Sequence, residues 1–301
     1  MLRSTIVGLV AVLLIAKIAT SWRVILPNSA ERTETRTFSP DHTKNFEVRA
    51  ENGSIEFVGE NDPKSEIEIT SILQASGPNE EAATAALDDM EVTIEGMEPG
   101  KEAETCKVGW RWKTTPSPEW SGSVRFKIQA PHKVNLDFEA QNGALNVTNL
   151  AGNAKLKSQN GKITSDTSGP SLEARTANGV IEAKYSGQHL QLHTQNGTVS
   201  ADLSHAAAID GEISTHNGAA TVTVGDDTSC ELKASTVHGR VLMPDSKKGF
   251  LKRLMKQRSA HATFGKGGGT LKLAVQNGMV KVRHVKAESD SSDDDEDDSN
   301  D

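Results

Sequence analysis

The sequence predicts an all-β fold, a parallel β-solenoid with coils of about 18–21 residues, one short helix in an N-terminal departure and a basic insert before the last coil. Three observations predict it. An Asn-Gly corner recurs at Asn142-Gly143, Asn160-Gly161, Asn178-Gly179, Asn196-Gly197 and Asn217-Gly218, varies to His238-Gly239, and closes at Asn277-Gly278. Columns of like residues flank each corner: Phe138, Leu156, Ala174, Leu192 and Ile213 stand four before it, and Leu145, Ile163, Ile181 and Val199 three after it. Aromatic residues make up only 4%, and Tyr185 is the one aromatic between residues 139 and 245, which suits a thin coil better than a thick core.

Between the apolar columns lie Lys155, Lys157, Glu173, Arg175 and His193, a period-two alternation that gives two half-buried strands per repeat. Asn-Gly is also the strongest short hairpin signal, so an antiparallel sandwich is the competing architecture. Equivalent columns return only once per two strands, however, as they do when each coil stacks on the last at about 4.8 Å. The corner set Asn52, Asn142, Gly143, Asn160, Gly161, Asn178, Gly179, Asn196, Gly197, Asn217, Gly218, Asn277 and Gly278 is therefore expected to form a structural turn ladder. Asparagine tolerates the left-handed conformation, and stacked amides can bond along an axis. Where Gly179 has a positive φ, its replacement by Val is expected to be costly through backbone strain.

Residues 1–26 read as a signal peptide or a membrane anchor. An apolar run over residues 6–16 follows Arg3 and precedes Lys17, no acid occurs before Glu31, and the hydrophobic stretch can continue past Trp22. The same acid-free start leaves a mitochondrial presequence as the other option. Residues 27–37 are polar and read as a linker. Residues 38–130 hold an opening coil with its corner at Asn52-Gly53, then a helix capped by Asn79, and Trp110, Trp112 and Trp120, which either seal the end of the stack or bind a ligand. Residues 131–285 are the repeat solenoid, one domain with what precedes it. Within them residues 246–258 hold six bases and no acid, with Phe250, Leu251, Leu254 and Met255 on one helical stripe. Residues 286–301 read as a disordered acidic tail, nine of the last fifteen residues being acidic.

The opening coil, the helix-strand departure, the Ala-Pro-x-x-Val-x-Leu re-entry at residues 130–136 and the serial Asn-Gly coils together resemble the putative-adhesin family of β-strand-repeat proteins, over about residues 38–285. That resemblance implies an extracytoplasmic β-helix-like domain and brings no catalytic residues with it.

No Cys/His pair has zinc spacing, Cys106 and Cys230 permit one disulfide, and no Ser/His/Asp or paired-Glu set appears. Lys155 is expected to offset Glu173 across coils, and Lys184 to offset Asp166. The reading is a non-enzymatic protein without cofactor, exported or membrane-anchored, that binds a protein or glycan and no nucleic acid. A regulatory envelope protein sensing stress or a partner is the second reading, and a β-helix polysaccharide lyase or hydrolase the third. Candidate binding residues are Trp110, Trp112 and Trp120, with the basic set Lys247, Lys248, Lys252, Arg253, Lys256 and Arg258.

Overall fold

The computed structural model describes residues 19–23, 28–40, 42–97, 103–244, 250–256 and 258–285, with the backbone alone for 19–23 and 250–256. The N-terminal part comprises β1 (Ala19–Arg23), β2 (Ser29–Phe38), β3 (Asn45–Asn52), β4 (Ile55–Glu60), β5 (Ile67–Ser76), α1 (Glu80–Asp89), β6 (Met90–Glu95), β7 (Thr105–Trp112) and β8 (Ser121–Pro131). The repeats follow as β9 (Asn135–Asn142), β10 (Leu145–Leu150), β11 (Ala154–Asn160), β12 (Ile163–Thr167), β13 (Ser171–Asn178), β14 (Ile181–Tyr185), β15 (His189–Asn196) and β16 (Val199–Leu203). The chain ends in β17 (Asp210–Val224), β18 (Cys230–Leu242), β19 (Phe250–Lys256), β20 (Ser259–Phe264) and β21 (Thr270–His284).

The fold is all-β, and its pairing is mostly parallel. Strands before the corner form one ladder, β7–β3–β9–β11–β13–β15–β17–β21–β18, and strands after it a second, β8–β4–β10–β12–β14–β16–β17–β21–β18. Strands β17, β18 and β21 run through the corner and serve both. Each corner Asn pairs with the next, and the inward columns Phe138–Leu156–Ala174–Leu192–Ile213 and Leu145–Ile163–Ile181–Val199–Ala220 are buried throughout. A one-residue slip would turn every apolar column outward, which is why the alternation fixes the register.

Two features of the order differ from the sequence reading. The expected opening coil does not end the ladders: β3 lies between β7 and β9, and β4 between β8 and β10. At the other end the last strand of the chain is not the last of the ladder. Strand β21 sits between β17 and β18, so that Asn217 pairs with Asn277, and Asn277 with His238. The doubled 39-residue step reflects a hairpin that carries the chain out beyond β18 and back.

Three further expectations are corrected. The polar stretch read as a linker is strand β2, which pairs antiparallel with β5 from Ser29↔Ser76 to Phe38↔Ile67. Its alternating Thr residues supply β-branched side chains to a half-buried strand. The anchor does not extend through Trp22, because Ala19–Arg23 is β1, paired with β2; the apolar run at residues 6–16 lies outside the described residues. The described part of the basic segment is not helical. Residues Phe250–Lys256 form β19, antiparallel to β20, which in turn pairs antiparallel with β18. Ala260, Ala262 and Phe264 are buried, and an available sheet edge outweighs the short helical stripe.

The expected helix is present as α1. Asn79 caps it by accepting a hydrogen bond from the Ala82 amide at 2.8 Å, and Ala83, Ala86 and Leu87 are buried against β5 and β2. Four of the buried aromatics, Phe46, Phe57, Phe126 and Phe138, lie in this part of the chain and the first repeat strand, and Phe57 lies 6.3 Å from both Phe46 and Phe138. Cys106 in β7 and Cys230 in β18 are both free and buried at opposite ends of the ladders, so they do not pair.

Candidate functional site: the corner ladder and a trough beside it

The corner residues form one continuous chain of side-chain amides. Each Nδ2 donates to the Oδ1 of its neighbour: Asn142 to Asn52 (3.0 Å), Asn160 to Asn142 (2.9 Å), Asn178 to Asn160 (2.9 Å), Asn196 to Asn178 (2.9 Å), Asn217 to Asn196 (2.8 Å) and Asn277 to Asn217 (2.9 Å). Just inside the corner, buried hydroxyls tie the same strands together. Ser158, Thr176, Thr194 and Thr215 donate to the carbonyls of Gly143, Gly161, Gly179 and Gly197 at 3.1–3.3 Å, and Thr236 donates to Gly278 at 3.1 Å. The corner glycines are demanded by this close approach. A Cβ on Gly179 would stand 2.0 Å from the Gly161 carbonyl oxygen, and since Gly179 is not among the positive-φ glycines, it is this crowding and not a left-handed backbone that excludes a side chain there. Gly197, at φ 152°, carries both constraints.

Of the candidate binding residues, Trp110, Trp112 and Trp120 do come together. Trp110 and Trp112 meet edge-on at 5.5 Å between ring centroids, and Trp112 and Trp120 lie 6.3 Å apart. All three are half-buried against the core, and a Cβ on Gly122 would strike the Trp112 ring at 2.8 Å. Lys252, Arg253 and Lys256 lie on the backbone of β19, Arg258 is exposed in the turn to β20, and Lys247 and Lys248 lie outside the described residues.

The outward columns carry the surface chemistry. Three before the corner, in ladder order, stand Arg49, Glu139, Lys157, Arg175 and His193, then Ser214, Ala274 and Ser235. Arg49 reaches Asp137 at 3.1 Å and Glu139 at 3.5 Å. The expected Lys184–Asp166 pair is present at 3.4 Å. The expected Lys155–Glu173 pair is not: Lys155 stands 3.9 Å from Asp137, because Glu173 is taken at 2.8 Å by Arg175 on its own strand.

At Ser214 the column changes from long side chains to short ones, and the face sinks into a trough. Ser214, Ala274 and Ser235 form its floor. His216, Gln276 and Val237 form one wall, with Gln195 in the next hollow; on the other side Gln191 and Glu212 line a hollow of their own, and Lys272 and Lys233 follow Glu212 in register. Successive outward columns are about 6.6 Å apart along each strand, and successive strands about 4.8 Å apart. The central depression holds about 310 Å³, with neighbouring hollows of about 440 and 250 Å³, and His193 lines all three. Its Nδ1 lies 3.0 Å from the Ser214 hydroxyl, so a polar tether holds the imidazole at the head of the trough. Beside the far wall the Lys233 hydrogen bond, seconded by His261, holds the Glu231 carboxyl below the usual carboxylate range.

No family model and no curated protein matches the chain. Solved structures do resemble it. A putative cell adhesion protein from Clostridium sporogenes is 12% identical, with 85% of this chain and 100% of that one covered and a TM-score of 0.32. A putative adhesin from Bacteroides fragilis is 13% identical over 84% of this chain and 97% of that one, with a TM-score of 0.39. A putative adhesin from Parabacteroides distasonis is 11% identical over 83% and 96%, with a TM-score of 0.31. All three are named for adhesion.

The trough residues were within reach of the sequence. Counting three back from each corner gives the column directly, but the basic ridge Lys157–Arg175–His193 draws the eye, and the loss of side-chain length beyond it is the informative change. What the sequence withholds is the ladder order, which brings Ala274 between Ser214 and Ser235. Among the described residues no group of three or more His, Cys, Asp or Glu could hold a metal ion, and no helix is long and apolar enough to cross a membrane.

Proposed function

We propose that this chain is an exported, non-enzymatic β-solenoid of the cell envelope that works as an adhesin-like binding protein, and that the trough at Ser214, Ala274 and Ser235 is where it takes an extended glycan. The observation that carries the reading is the trough itself. Hydroxyl, amide and imidazole groups stand on its floor and one wall at the strand spacing, a set of hydrogen-bond donors and acceptors that suits the hydroxyls of a sugar chain. The parallel ladders recur every 18 or 21 residues in register, which supports the solenoid reading. Extracytoplasmic location rests on the apolar run at residues 6–16.

Glycan-array binding by the purified chain, followed by Ser214→Arg and Ser235→Arg, tests the site. Either arginine should fill the floor and reduce binding at least ten-fold while leaving thermal unfolding unchanged. Loss of binding with Trp112→Ala but not with the arginine variants would move the site to the tryptophans. Release of shortened products from a bound glycan would overturn the non-enzymatic reading.

A further inference from the structure

Charge is distributed unevenly along the ladders. Residues 229–285 hold twelve Lys and Arg against two acids, whereas residues 28–228 hold more acids than bases. Pairing is uneven too. In the N-terminal half, Arg32, Lys44, Arg49, Arg111 and Lys127 each sit in an ion pair. At the other end Arg240, Arg258, Lys266, Lys272, Lys281 and Arg283 make none among the described residues, and all but Lys281 are exposed. Six cations without counter-charges on two strands and a hairpin repel one another.

The chain supplies a counter-charge at the right place. Strand β21 ends at His284, whose Nε2 lies 3.1 Å from Asp226, and the Val285 amide donates to the Val224 carbonyl of β17 at 3.0 Å, so residues 286–301 leave from the margin of this basic end. Sixteen residues reach at most about 55 Å when extended, whereas β21, β18, β20 and β19 follow one another at about 4.8 Å steps. Every cation named above is therefore within reach, while the acidic remainder of the surface repels the segment.

We propose that the acidic segment 287–301 lies in cis across the basic end formed by β18, β20 and β21, and that this end is a polyanion-binding surface kept masked by the chain's own tail. Tethering gives the segment a local concentration in the millimolar range, enough to occupy a weak electrostatic site.

The test compares the full chain with a chain ending at Lys286, using a labelled synthetic peptide of residues 287–301 as probe. The shortened chain should bind the peptide at low salt, and the full chain at least ten-fold more weakly. Binding should fall as salt passes about 0.15 M. Lys272→Glu with Lys281→Glu and Arg283→Glu in the shortened chain should abolish it. Carbodiimide cross-linking of the intact full chain, read by mass spectrometry, is the second measurement and should join tail carboxylates to Lys266, Lys272 or Lys281. Equal peptide binding to both chains, no binding to the shortened chain, or cross-links only to lysines before residue 229 would each overturn the proposal.

Discussion

Gly179 has no room for a methyl group, because the Gly161 carbonyl oxygen already occupies the place where a Cβ would go. Gly179→Ala should therefore cost about 1–3 kcal/mol through displaced backbone. Gly109→Ala meets nothing nearer than 3.4 Å and should be neutral or stabilise by up to about 1 kcal/mol through the unfolded chain. Urea denaturation of the pair checks the contrast. Tyr185 makes a second residue-scale case. Its buried hydroxyl lies 2.9 Å from the Pro170 and His189 carbonyls and accepts from the His189 amide at 3.0 Å; burial pushes its pKa up to about 12, against the lowering effect of its backbone hydrogen bonds. A folded value above the unfolded one near 10 means that its stabilisation is full below pH 10 and is lost as pH climbs from there toward 12. Tyr185→Phe should lose about 1 kcal/mol at neutral pH, and its stability should fall less than that of the parent over the alkaline range. Tyr185 was legible as the one aromatic between residues 139 and 245, but not as a hydroxyl tying Pro170 to His189, since nothing in its neighbours' side chains announces these backbone partners.

At the scale of elements, the amide ladder acts as a unit because each amide both donates and accepts. Asn178→Asp keeps an acceptor for Asn196 but can no longer donate to Asn160, and should cost about 1–2 kcal/mol at neutral pH. Protonation restores a donor, so the deficit should shrink as pH falls through the carboxylate range; a pH-independent deficit would point to lost packing instead. The ladder also guards a chemical weakness. Asparagine before glycine loses ammonia when the glycine nitrogen attacks the side-chain carbonyl, and here the amide is tied to its neighbours while the Gly143, Gly179 and Gly197 amides donate to the Asn160, Asn196 and Asn217 carbonyls. Ammonia loss on storage should therefore track local opening of the ladder, and should be slower in the folded chain than in the same sequence held in urea. The corner pattern made this element readable before any coordinates. The basic hairpin was not readable in the same way, since seven residues with an apolar stripe suit a helix or an edge strand, and only the open side of β18 decides between them. As an edge strand β19 has a use for its charge. Lys252→Val with Lys256→Val should raise light scattering on concentration without lowering thermal stability.

At the scale of the whole molecule, the repeats predicted parallel, in-register pairing, and the outline held from Asn142 to Asn217. The two ends did not follow from periodicity, because a period records which residues are equivalent and not which neighbour each finally meets. The consequence is sharpest at β21, which gives one edge to β17 and the other to β18. A chain cut after Gly269 should lose amide protection across β18 and β20 as well as the missing strand, whereas β9 to β16 should stay protected; hydrogen exchange by segment checks this. During synthesis the same arrangement imposes a wait. Strand β18 leaves the ribosome before the strand that must come between it and β17, so the growing chain has to keep that slot free of its own flanking strands and of other nascent chains. The hairpin of β19 and β20 is made during that interval, and by pairing with β18 it can keep the early-born strand engaged until its lasting neighbour arrives.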